Sequence, residues 1–319
     1  MTFRVDPEVF AALVALAPEG GPPPPPPVGD VATRRTMVEA LLAHSMGRVP
    51  ASPDVETADH HTAADDGTPL LLRWYAKRGF AASGPGAAVL YVHGGGMILG
   101  NVGLYDPLVA RYAHDADIGM LSVEYRYAPE HPGLTPVRDV FAGLRWLAAN
   151  AERLRVDPAR IAVMGDSAGG GIAAGLAQLT RDESGPPLAH QVLIYPMLDD
   201  RTVGPDPELA RVATWTYDDN LTGWGALLGE QRGGPDVPCY AAPARIADPA
   251  GLAPAFIDVG ELDIFRDECL EYARRLTLAG VSTELHLRAG VPHGFDTFAP
   301  ESAVARRSSL DRIRVLRAL

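Results

Sequence analysis

Ile161-Ala162-Val163-Met164-Gly165-Asp166-Ser167-Ala168-Gly169-Gly170 is the stretch whose reading decides the fold. The apolar run 161–164 reads as a buried strand, and the alanine-rich run 168–181 as a helix. Between them, Gly165-Asp166-Ser167-Ala168-Gly169 matches the pattern G-x-S-x-G in the strand, turn, helix setting that this turn requires. Small residues on both sides let the chain reverse sharply while the serine takes an unfavourable backbone conformation. The helix behind it points its amide dipoles at the hydroxyl. Short strings of this kind also arise by chance or as helix caps, so Ser167 becomes a candidate nucleophile only through its surroundings.

Outward from this turn, apolar runs alternate with helical patterns. The runs 55–61 and 70–76 flank Asp65-Asp66-Gly67-Thr68, a hairpin signal. Buried-strand runs follow at 87–92, 118–125, 161–164, 192–195, 255–259 and 283–287, with helical patterns that include 137–150, 168–181 and 267–279. Such alternation predicts an α/β protein: a mostly parallel eight-stranded sheet with helices on both faces and an antiparallel edge from the hairpin. There is no internal repeat.

Two regions stand outside the alternation. Residues 199–240 form a long insertion carrying Trp215, Tyr217, Leu221, Trp224, Leu227 and Leu228, and so long an interruption of a compact α/β domain usually serves as a lid. Residues 1–50 hold a short helix starting at Asp6-Pro7-Glu8, six prolines over 22–27, and a second helix over 30–46. In that second helix Met37, Leu41 and Leu42 recur at helical spacing, so it is expected to lie on a surface. The prolines read as a rigid surface connector of ~3.1 Å per residue. The expected organisation is therefore a core of 51–198 and 241–319, covered by a helical cap built from 1–50 and 199–240.

Composition narrows the function. The 319 residues are 47% hydrophobic and 21% charged, with a formal charge of -12 that repels nucleic acid. No stretch reaches the ~20 apolar residues of a membrane span. The two cysteines, Cys239 and Cys269, are too few for a disulfide framework and suit a reducing compartment. The apolar run 9–17 ends like a signal-peptide cleavage site, but Asp6 and Glu8 stand where such a peptide carries positive charge. The run is read as a helix of a cytoplasmic protein.

Several residues fit one chemistry. His93-Gly94-Gly95-Gly96 follows the 87–92 strand, where backbone amides can converge on a developing oxyanion; the expected donors are Gly94, Gly95 and Ala168. No Lys-Ser/Thr follows to make the loop a phosphate cradle. A serine needs a histidine to take its proton and an acid to orient that histidine, in the chain order serine, acid, histidine. His190, His286 and His293 follow Ser167, and only His293 lies in a turn after the last strand. Asp263, just beyond the 255–259 strand, is the favoured acid over Asp199, Asp200 and Glu261, and Asp267 reads as a first-turn helix charge. Met97, Tyr195, Trp215, Leu221 and Trp224 are candidates for an apolar substrate pocket, and no metal ligands are assigned.

Taken together, these segments resemble the bacterial hormone-sensitive-lipase-like esterase family, in its Gly-Asp-Ser-Ala-Gly-Gly branch. The matching stretches are 93–96, Glu124-Tyr125-Arg126-Tyr127-Ala128-Pro129-Glu130-His131, 165–170, Gly260-Glu261-Leu262-Asp263, Arg266-Asp267-Glu268 and His293-Gly294-Phe295. The resemblance implies an α/β-hydrolase fold with a helical cap. It also implies the triad Ser167, Asp263 and His293, the oxyanion amides of Gly94, Gly95 and Ala168, and cofactor-free hydrolysis of short- to medium-chain acyl esters. A homodimer joined through the last strand is compatible with it. Glu124, Tyr127 and Ile264-Phe265 depart from the family's usual residues, which bears on pocket shape and not on the catalytic groups. An amidase, lactonase, acyltransferase or non-catalytic binding protein could be built on the same scaffold.

Overall fold

A computed structural model describes residues 4–17 and 24–319. The chain opens with helices α1 (Pro7–Leu16) and α2 (Val31–Met46), then hairpin strands β1 (Val55–Ala63) and β2 (Pro69–Lys77). Next come β3 (Gly86–Val92), α3 (Val102–Ala116), β4 (Gly119–Val123), α4 (Thr135–Ala149), α5 (Ala151–Leu154), β5 (Val156–Asp166), α6 (Ala168–Asp182) and β6 (Gln191–Ile194). The insertion holds α7 (Pro207–Ala210) and α8 (Tyr217–Leu228). The chain closes with β7 (Ala255–Gly260), α9 (Arg266–Leu278), β8 (Thr283–Arg288), α10 (Phe295–Phe298) and α11 (Ala303–Arg317).

All eight strands form one sheet in the order β1-β2-β4-β3-β5-β6-β7-β8. β1 and β2 pair antiparallel with each other and β2 with β4, while every later pairing is parallel. Burial explains the difference in sequence texture. Strands β3, β6 and β7 are covered on both faces and read as continuous apolar runs. The edge strand β1 is mostly exposed and polar, and its Asp59 faces Arg73 across the pair in a 2.6 Å ion pair.

Departures from the expected boundaries have local causes. β4 ends at Val123 because Glu124 and Tyr125 leave the sheet, and the Tyr125 hydroxyl donates to the carbonyl of His93 at 2.9 Å. β5 begins early, where Val156 pairs with Gly86. In α2 the buried residues are Arg34, Ser45 and Met46, whereas Met37 is 38% exposed, so the side expected to lie on the core is partly turned outward. Of the proline run, Pro22 and Pro23 lie outside the described residues. Pro26 is half-buried and the carbonyls of Pro26 and Pro27 accept hydrogen bonds from Arg34, which is more than a connector requires.

Candidate active site

Ser167 stands at the tip between β5 and α6 with φ 54° and ψ −121°, a conformation that L residues avoid. Two glycines make that turn possible. A Cβ on Gly165 would come within 2.3 Å of the Gly169 carbonyl oxygen, and one on Gly169 within 2.1 Å of the Val92 carbonyl oxygen. The backbone is pinned from both sides: Ser167 donates its N–H to Ile194 at 2.9 Å, and its carbonyl accepts from Met197 at 2.9 Å.

The loop after β8 brings His293 to this serine. His293 Nε2 lies 2.8 Å from Ser167 Oγ, and Nδ1 lies 2.7 Å from Asp263 Oδ2. A carboxylate can only accept here, so Nδ1 carries the proton and Nε2 presents its lone pair to the serine hydroxyl. Asp263 is held in turn by the N–H of Phe265, donated to Oδ1 at 2.9 Å. The imidazole is packed edge-on by Tyr195 and Phe265, with ring centroids 4.7 and 5.1 Å away. From the insertion, Thr214 Oγ1 donates to the His293 carbonyl at 2.5 Å. All three side chains are nearly removed from water.

The other candidates are engaged elsewhere. Asp199 pairs with Arg201 and Asp200 with Arg245, at 2.7 and 2.6 Å. Glu261 accepts the Gly290 N–H at 2.9 Å, and Asp267 pairs with Arg266 at 2.7 Å. His286 lies between Glu284 and Asp311 at 2.5 and 3.6 Å. His190 precedes β6 and is bonded to neither the serine nor Asp263.

The glycine loop faces the serine, but not as expected at its first glycine. Gly94 donates its N–H to Asp166 Oδ1 at 3.2 Å and is therefore turned away from the oxyanion position. Gly95 and Gly96 line the cavity beside Ser167, and Gly95 has φ +120°, open only to glycine. Among the described residues, the N–H groups of Gly95, Gly96 and Ala168 have no protein acceptor. Asp166 also accepts from the hydroxyls of Tyr91 at 2.6 Å and Tyr105 at 3.4 Å, and burial pushes its pKa up to about 6. His93 is stacked against Tyr105 and Tyr125, donates Nδ1–H to Gly94 at 2.8 Å, and is pushed down to about 4 by burial. It is a neutral structural post of the loop.

A cavity of about 100 Å³ opens on Ser167. Its roof comes from Val38, Leu41 and Leu42 of α2 and from Trp215 and Asp219 of the insertion, and its far wall from Tyr195, Thr297 and Phe298. Two of the expected wall residues, Tyr195 and Trp215, are there. Met97, Leu221 and Trp224 are not: Met97 and Trp224 are buried in the core, and Leu221 is half-buried away from the opening.

A family model described as alpha/beta hydrolase fold matches residues 89–297. Carboxylesterase NlhH of Mycobacterium tuberculosis is 42% identical over 214 residues, covering 66% of this chain and 67% of that protein. Esterase LipI of the same organism is 36% identical over 278 residues, covering 84% and 85%. Among solved structures, a bacterial heroin esterase superimposes with TM-score 0.89 at 35% identity, covering 98% of this chain and 97% of its own. The chain belongs to the hormone-sensitive-lipase-like esterase family of α/β hydrolases.

Within this α/β hydrolase, several residues near the serine carry signals that composition alone does not rank. Asp166 is an acid inside an otherwise apolar strand-to-turn segment, and an acid in that position has to find buried donors. Phe298 lies five residues past His293 on the short helix α10, too brief a helix to leave a periodic pattern. Val38 and Leu41 look like ordinary packing residues of a surface helix, and only the close approach of α2 to α8 turns them toward the site. Among the described residues no helix is long and apolar enough to cross a membrane.

Proposed function

We propose that this chain is a carboxylesterase that cleaves short- to medium-chain acyl esters through an acyl-enzyme on Ser167. His293 Nε2 takes the hydroxyl proton as Oγ attacks the ester carbonyl. The imidazolium that forms is stabilised by Asp263, and the oxyanion by the N–H groups of Gly95, Gly96 and Ala168. His293 then gives the proton to the leaving alcohol. A water molecule, deprotonated by the same nitrogen, attacks the acyl-enzyme and releases the acid.

The observation that carries this reading is the unbroken chain Ser167–His293–Asp263, at 2.8 and 2.7 Å, opening on a small apolar cavity. The cavity's size, about 100 Å³, and its apolar wall of Leu41, Leu42 and Phe298 support short acyl groups.

The test is hydrolysis of p-nitrophenyl butyrate by the wild type and by Ser167→Ala. The expected result is a stoichiometric burst from the wild type and a drop of roughly 10⁴-fold in turnover for the variant. Unchanged turnover by Ser167→Ala overturns the assignment. Rates on an ester, an amide and a lactone of matched acyl size separate esterase from amidase and lactonase.

A further inference from the structure

Arg34 is one of the largest fully buried side chains, at 1% exposure, although it lies on α2, most of whose residues are exposed or half-buried. An arginine carries five N–H donors, no acceptor and a permanent charge, so one that is buried must be surrounded by oxygen. Arg34 Nε donates to Asp219 Oδ1 at 2.8 Å, Nη2 to the Pro26 carbonyl at 2.8 Å, and Nη1 to the carbonyls of Pro27 at 2.5 Å and Asp30 at 3.3 Å.

Prolines suit this task. A proline run has no N–H groups, makes no internal hydrogen bonds and leaves its carbonyls as free acceptors. Its end supplies half of the shell around the guanidinium. A second clip lies beside the first, where Gly29 donates its N–H to Thr222 Oγ1 at 3.0 Å. Both clips land on α8, and Asp219 is itself fixed there by the capping box with Thr216.

The next residue faces the other way. Arg35 donates to the carbonyls of Ile98 at 2.5 Å and Ala128 at 2.9 Å, and pairs with both oxygens of Glu130 at 2.8 and 2.6 Å. Helix α2 is thus held between two arginine nodes, one on the insertion and one at the end of the glycine loop. Its next turns carry Val38, Leu41 and Leu42 over Ser167.

We propose that Arg34 determines acyl-chain specificity: by gripping the proline carbonyls and Asp219 together, it fixes α2 at the height above Ser167 that excludes long chains. Arg34 touches no reacting atom and acts by positioning the roof. The proposal rests on the esterase reading.

The test is the ratio of kcat/KM on p-nitrophenyl octanoate to that on the acetate, for wild type, Arg34→Met and Arg34→Lys. In Arg34→Met this ratio rises about tenfold, as expected when a pocket wall yields, while kcat on the acetate stays within about threefold. Arg34→Lys, a point charge that cannot reach all four oxygens, falls between. An unchanged ratio in an Arg34→Met enzyme that retains its full phosphonate-titratable serine overturns the proposal. If Arg34→Met does not fold, Asp219→Asn removes the charge partner without changing shape, and the same rise is expected; a wild-type ratio there overturns it equally. Should the wild type hydrolyse no ester, the esterase reading fails. The latch is then read by hydrogen exchange: faster exchange of α2 amides in Asp219→Asn supports it, and unchanged protection overturns it.

Discussion

The carboxylate of Asp166 accepts the backbone N–H of Gly94 at 3.2 Å, so the residue before Ser167 anchors the start of the loop opposite it. Asp166→Asn keeps the shape and weakens that anchor, and kcat on a short ester is expected to fall roughly tenfold with little change in KM. Stability gives a second readout. Burial raises the Asp166 pKa from 3.8 to about 6, so the group favours the folded state most below about pH 4 and loses that contribution as pH rises through 6. The loss is on the order of 3 kcal/mol, and the asparagine variant does not suffer it. The melting temperature of the variant minus that of the wild type should therefore be more positive at pH 8 than at pH 4. A difference that does not move with pH counts against a buried, ionising Asp166.

Asp263→Asn removes the acceptor that selects the Nδ1–H tautomer of His293. Turnover should drop by about 10⁴-fold while the fold persists. Steady-state rates alongside circular dichroism check both halves of that expectation, and a drop below about tenfold would place the orienting role on another acid.

Thr214 contributes from outside the core by donating to the His293 carbonyl at 2.5 Å. Thr214→Val keeps the volume and removes the donor. The histidine loop then loses one restraint, and kcat is expected to fall by about three- to tenfold with KM nearly constant. Equal kcat values would show that packing by Tyr195 and Phe265 alone positions the ring.

Behind the site, Arg312 donates Nε to Asp258 at 3.0 Å and is paired through Nη1 with Asp296. Burial by itself would raise the Asp258 pKa, but Arg312 and Arg288 outweigh it and hold the group below its ordinary value. Its contribution to stability is thus present above about pH 4 and lost as pH falls. Arg312→Met leaves Asp258 with Arg288 as its one remaining cation and takes the cation from Asp296, and should destabilise the protein by about 2–3 kcal/mol at pH 7, and by less at pH 4, where the carboxyls begin to protonate. Urea titrations at the two pH values measure this, and an equal loss at both would contradict it.

The meeting of Ser167, Asp263 and His293 and the eight strands are legible in the sequence because each depends on local order: apolar runs for the strands, small residues around Ser167, and a histidine in a turn after the last strand. The donor set of the glycine loop is less so. Choosing Gly96 over Gly94 depends on which amide Asp166 occupies, a contact between residues 72 positions apart. The cavity walls are harder still. Trp215 and Trp224 have similar surroundings in the sequence, yet one faces Ser167 and the other is buried in the core. The role of Arg34 is hidden because a lone arginine on a helix reads as a solvent residue until its four oxygen partners are brought around it.

Ser167 and His293 are separated by 126 residues, and Arg34 and Asp219 by 185. During synthesis the sheet from β1 to β6 and the serine turn can emerge long before the histidine does. A nascent chain ending ahead of β8 carries its hydroxyl without a base, so hydrolytic power arrives late and all at once, after the scaffold that must contain it has been made.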